Sequence, residues 1–210
     1  MKPFIAKQFS IGELQGISRK TIEEHLKLYA GYVKNANLIM EHIAEFSKDS
    51  EKYAYELGEL QRRFAFEWGG IRNHEYYFGS LEGGPTSLTT VGTLHTTLEK
   101  EFGSFELFLN RFKAIALTRG IGWAMLCYDK KTGRLLTQWV DEQHVGHLVD
   151  TSIILALDMW EHSYLFDYIP AQKKEYVEAF FTNLNWKVIE QNFTNTKQSH
   201  STLLDDRLDL

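Results

Sequence analysis

Between residues 21 and 46 the apolar side chains fall at Ile22, Leu26, Tyr29, Val33, Ala36, Met40 and Ile43. Steps of four and three keep one face of a 3.6-residue helix apolar, so the spacing predicts a long helix with one buried stripe. Ser18 stands where an N-cap belongs, and Glu23 and Glu24 complement the positive end of the helix dipole. The segment FSKDSEK then breaks the pattern. A second helical period runs over residues 53–77, with Leu57, Leu60, Phe64 and Trp68 among its apolar positions. Gly69 and Gly70 interrupt this stripe and predict a bend or a tightened turn there. Two long helices joined by a short polar segment read as an antiparallel hairpin.

The strongest punctuation is EGGPTSLTT at residues 82–90. It divides the chain into a helical hairpin domain (1–84), an α/β domain (85–193) and a C-terminal tail (194–210). Beyond it, residues 91–102 and 105–117 carry two shorter helical patterns. The period then changes. GWAMLCY at 122–128 and LLTQWV at 135–140 are short apolar runs joined by DKKTGR, with Gly133 in the turn, and they predict a β-hairpin. IILAL at 153–157 is apolar throughout and reads as a central strand, closed by Asp158. Residues 175–193 return to a helical period, and the polar residues from 194 onward read as a loose tail. The fold class is α+β: an N-terminal antiparallel helical hairpin, then a mixed α/β domain around a small antiparallel sheet.

Composition narrows the function. Of 210 residues, 43% are hydrophobic and 24% charged, as in ordinary globular proteins. A net charge of −5 with no basic stripe argues against nucleic acid as a partner. Cys127 is the only cysteine, which rules out an intrachain disulfide and a thiolate metal cluster. The opening residues lack the apolar core of a signal peptide, and no run approaches the roughly 20 apolar residues that cross a bilayer. These features read as a soluble cytoplasmic protein without a membrane partner.

The candidate chemistry lies in four residues. In DMWEH, Asp158 closes a strand and His162 follows four residues later, a spacing that can aim both side chains at one point. Such pairs also serve as plain hydrogen-bonded structural pairs. His25 sits near the start of the first helix and His74 near the end of the second, and an antiparallel hairpin makes those ends neighbours. Three imidazoles and one carboxylate meeting at the seam between the halves suit manganese, iron, zinc or cobalt.

DMWEHSYLFDY resembles the D-x-W-E-H-A-Y-Y signature of the iron/manganese superoxide dismutase family. TIEEHLKLYAGYVKNAN, NHEYYFGSL, EGGPTS, FGSFELFLNRF, GIGWAML and LNWKVI are similar to further landmarks of that family in the same order, over residues 10–193. The resemblance implies one manganese or iron ion per chain held by His25, His74, Asp158 and His162, and dismutation of superoxide to dioxygen and hydrogen peroxide. It implies a glutamine that hydrogen-bonds solvent at the metal, supplied by the second helix or by the loop after the sheet hairpin. Gly70 stands at the helix position, as in manganese-type members, so the loop residue Gln143 is the candidate and its neighbour His144 the rival; this leans towards manganese. Tyr32 matches the gateway tyrosine, and Trp123 and Trp160 match aromatic walls. Glu161 matches the glutamate that reaches the partner subunit's equivalent of His162, which implies a homodimer. Lys27 and Arg72 are candidates for drawing in an anion.

The chain also departs from the family. Leu28 and Leu165 replace a histidine and its usual cross-subunit tyrosine partner, and Phe78 replaces a tryptophan. The arginine usual after DY is absent, with Gln172, Lys173 and Lys174 nearby. An altered channel or proton path follows. The alternative function is therefore a metal protein of the same fold with peroxide-related or non-redox chemistry, or a structural or binding role.

Overall fold

The computed structural model describes residues 2–205, with the backbone alone for 199–205. The predicted first helix is α1, Arg19–Phe46. Ser18 caps it, its Oγ accepting from the Thr21 amide, and Asp167 accepts from both the Ser18 amide (2.8 Å) and the Thr21 hydroxyl (2.6 Å). The buried stripe carries Ile22, Tyr29, Val33, Ala36 and Ile39, and His25 lies on the same face with no exposure. After a single 3-10 turn the chain returns as α2, Ala54–Leu81, packed against α1.

The tightened turn expected at Gly69 and Gly70 does not occur, since α2 stays α-helical across them. The glycines answer a different demand. A Cβ on Gly69 would overlap the Gln143 carbonyl, and one on Gly70 would enter the Tyr32 ring. They are contact points where other chain segments press on the helix.

The second half opens with α3, Thr93–Phe102, and α4, Phe105–Ala116. Three antiparallel strands follow: β1 Gly122–Asp129, β2 Arg134–Asp141 and β3 Thr151–Asp158. Their order is β2-β1-β3, so the expectation of a central third strand is corrected: β1 is central and β3 lies at the edge. The 153–157 run of β3 is apolar because α2 and α6 (Trp186–Asp205) both pack on this strand, and burial by helices needs no second strand neighbour. Register sets Trp123 opposite Asp158. In the middle of β1 the buried Cys127 thiol lies 2.9 Å from Gln138 Nε2 on β2, and burial pushes its pKa up to about 12.

The single helix predicted over residues 175–193 is two, α5 Lys173–Thr182 and α6. Asparagines make the break. Asn183 exchanges hydrogen bonds with the Gln15 backbone, both 2.8 Å, and Asn185 donates to the Glu82 carbonyl (2.8 Å) while accepting from Thr86 (2.9 Å). The loose tail is likewise corrected as far as residue 205. Its threonines turn their hydroxyls onto their own helix, Thr194 to the Glu190 carbonyl and Thr196 to that of Asn192, so polar composition does not end it. Residues 206–210 of that tail lie outside the described residues.

Candidate metal centre

Asp158 is the pivot of the site. The Trp160 amide donates to its Oδ1 at 2.8 Å, and Ser163 Oγ and Tyr176 OH, each 3.0 Å away, hold its main-chain carbonyl. Oδ2 is left facing three imidazoles. His25 Nε2 and His162 Nε2 each lie 3.1 Å from it, and His74 Nε2 lies 3.4 Å away. The antiparallel hairpin brings the His25 and His74 rings to 4.9 Å, and the 3-10 turn Glu161–Ser163 carries His162 back under Asp158. The four ligand atoms all lie within 4.8 Å of one another.

The donor set fits a cation. His74 Nδ1 donates to the Gly70 carbonyl at 2.6 Å, which leaves Nε2 of the neutral ring with only a lone pair. That lone pair points at a carboxylate oxygen and has no other partner. Burial lowers the pKa of His74 to about 3, and burial likewise lowers that of His25, so both rings are neutral at physiological pH. Burial works against the Asp158 charge, yet His162 and His25 together hold its carboxyl below the usual range. His25 and His162 can each donate Nε2–H to Oδ2, but the His74 lone pair facing that anionic oxygen is repelled unless a positive ion sits between them.

Around this cluster runs a hydrogen-bonded line. Trp123 Nε1 donates to Gln143 Oε1 at 2.9 Å, and Gln143 Nε2 lies 2.9 Å from the Tyr32 hydroxyl. Asn73 Nδ2 holds the Gln143 carbonyl at 2.9 Å, and Glu142, at φ 52°, makes the turn that aims Gln143 inward. Tyr32 lies against His74, ring centroids 5.1 Å apart. Burial first, then the charges of Asp158 and Glu67, raise its hydroxyl pKa, with Arg63 opposing. His144 takes no part in this line; its ring packs edge-on to Phe66 at 5.8 Å. Trp160 stacks on His162 at 5.7 Å and donates to the Glu142 carbonyl.

Other sequence candidates lie farther out. Glu161 is exposed, and so are Leu28 (44%) and Leu165 (46%), the two leucines that replace the polar pair. Lys27 pairs with Glu24 at 2.7 Å, and Arg72 pairs with Glu75 at 2.7 Å while lying over Trp68. Sequence reasoning missed Phe66 and Asn73. Phe66 falls off the main apolar stripe of α2, and nothing in the local pattern marks Asn73 as the clamp of a distant loop.

The C-terminal domain of iron/manganese superoxide dismutases matches residues 90–192. The chain is 33% identical over 198 residues to "Superoxide dismutase [Fe]" of Aquifex aeolicus, covering 91% of each. It is 37% identical to "Superoxide dismutase [Fe]" of Cupriavidus metallidurans, over 83% of this chain and 87% of that one. It is 33% identical to "Superoxide dismutase [Mn]" of Mycolicibacterium smegmatis, over 86% of each. The chain belongs to the iron/manganese superoxide dismutase family.

Proposed function

We propose that this chain dismutates superoxide, with one iron or manganese ion held by His25 Nε2, His74 Nε2, His162 Nε2 and Asp158 Oδ2. The carrying observation is the convergence of those four atoms, with the His74 lone pair left facing a carboxylate. One-electron chemistry in both directions is what such an ion supplies: one superoxide is oxidised to dioxygen, and a second, with two protons, is reduced to hydrogen peroxide. The chain's own residues do the rest. A single carboxylate among neutral imidazoles leaves a trivalent or divalent ion with net positive charge, which favours a small anion although the whole chain carries −5. Trp123 fixes the Gln143 amide, so Gln143 and the Tyr32 hydroxyl present a prepared hydrogen-bond pair beside the ligands. Their neighbours Phe66, Trp160 and Trp123 exclude bulk water.

Manganese is the favoured ion. A side chain at Gly70 would collide with Tyr32, so the amide beside the centre comes from the loop, the arrangement of manganese-type members. We also infer a homodimer through Glu161 and His162. Glu161 is exposed beside the ligand, with the apolar surfaces of Leu165 and Phe166 adjoining it.

The test is dismutation by protein loaded separately with manganese and with iron, alongside bound metal per chain. The expected result is activity at about one ion per chain with manganese, lost together with the metal in Asp158→Ala. Metal bound at these residues without dismutation in either form would overturn the reading.

A further inference from the structure

His25, His74 and Asp158 have no solvent exposure, whereas 20% of the His162 side chain is open. His162 is the ligand at the inferred dimer contact, so the approach lies on the Tyr32 side, where the Tyr32 hydroxyl meets Gln143 and its ring packs on Phe66. Trp160 stacks on His162, Phe66 meets Trp160 edge-on at 6.3 Å, and Phe66 also packs on Tyr32 at 5.9 Å. Phe66 is the outer ring of this approach, and the guanidinium of Arg63 lies over its face, 3.8 Å from the centroid.

Arg63, Glu67, Gly70 and His74 follow one another on α2 by four, three and four residues, so they share one face. That face leads from solvent to the metal centre over roughly 16 Å of helix axis. Arg63 Nε donates to Glu67 Oε1 at 3.0 Å. The pair is polarised. The Arg63 side chain is 53% exposed, while that of Glu67 is 4% exposed and its Oε2 is buried without a partner. Arg63 is bonded to Glu67 through Nε, and its side chain stays more than half exposed. Lys27 and Arg72, the other cations next to ligands in sequence, are paired with Glu24 and Glu75.

We propose that Arg63 is the residue that draws the anionic substrate to the mouth of the site, and that Glu67 is its positioning residue, holding the guanidinium over Phe66. This rests on the superoxide dismutase reading above. An incoming anion meets the exposed cation first and leaves the buried carboxylate behind the ring. One unit charge at this range changes the capture of a monovalent anion by about 2-fold at low ionic strength, and salt screens the effect.

The experiment compares wild type, Arg63→Gln, Arg63→Lys and Glu67→Gln, all loaded with manganese and matched for metal content. It reads kcat/KM for superoxide and the Kd of azide, a small anion that needs no turnover, each across ionic strength. Arg63→Gln is expected to lower kcat/KM and weaken azide about 2-fold at low salt, with the difference vanishing at high salt. Arg63→Lys keeps the salt dependence. Glu67→Gln retains an acceptor for Arg63 Nε but loses the negative charge, so it raises both quantities' affinity for the anion. Opposite signs at positions 63 and 67 are what a purely structural ion pair would not give. If Arg63→Gln leaves both salt profiles unchanged, or both substitutions lower capture equally at every salt concentration, the proposal is overturned. If the wild-type protein binds metal but does not dismutate superoxide, the functional reading fails, and the azide series alone decides the role of Arg63.

Discussion

Gly58 and Gly70 are both interior residues of α2, yet they ask for opposite outcomes. Nothing lies within 4 Å of a Cβ built at Gly58, so Gly58→Ala gains helix propensity and is expected to stabilise the protein by about 0.5–1 kcal/mol. A Cβ at Gly70 meets the Tyr32 ring. Overpacking of that kind costs about 1–3 kcal/mol, more than propensity returns, so Gly70→Ala is expected to destabilise by about 1–2 kcal/mol. It also pushes Tyr32 off Gln143, so activity per bound metal falls with it. Denaturant unfolding of both variants, with activity normalised to metal content, checks the pair; equal stabilities for the two variants would count against the contact. In the sequence both glycines look alike, and Gly69–Gly70 looks like a break. Periodicity reports which face of a helix is buried, not how closely another segment approaches it. The clustering of His25, His74, Asp158 and His162 was more legible because their types and spacing are chemical, whereas the role of Asn73 depends on a loop 70 residues away.

At the scale of elements, both members of the helical hairpin were legible, since 28-residue helices give the 3.6-residue period many repeats. The β-hairpin was legible from its turn. The place of β3 was not, because an all-apolar run states that both faces are covered and is silent on which strand is the neighbour. The α5–α6 break was hidden for a related reason: the helical period continues across it, and only tertiary contacts stop the helix. Asn185 carries those contacts, joining the end of α2 to the start of α6 through Glu82 and Thr86, while its amide donates to the Ser80 carbonyl at 2.7 Å. Asn185→Ala removes the side-chain bonds and leaves half-buried partners unpaired, which is expected to cost about 1–2 kcal/mol. A loss below about 0.5 kcal/mol in denaturant unfolding would show that the main-chain bond alone sets the junction.

For the whole molecule, the buried histidines tie stability to pH. The His74 pKa is lowered from 6.5 to about 3, chiefly by burial, and that of His25 is also lowered. Above pH 6.5 neither folded nor unfolded chain protonates them. Below it the unfolded chain takes up protons that the folded chain refuses, so stability falls by up to about 1.4 kcal/mol per pH unit for each histidine. Asp158, held low by its histidine neighbours after burial has opposed its charge, acts in the same direction only below its ordinary range near 3.8. The metal-free protein is therefore expected to show a constant Tm above about pH 7 and a steep decline between pH 6 and 4.5. A Tm independent of pH over that interval would mean that the rings are already protonated in the folded state.

Hydrogen peroxide, one product of the proposed reaction, oxidises sulfur through the thiolate rather than the thiol. Cys127 sits in mid-sheet with no exposure and its proton held firmly, and the sequence contains no other cysteine. An enzyme built this way generates an oxidant while keeping its single cysteine in the unreactive state, so the folded sheet itself serves as chemical armour against the product.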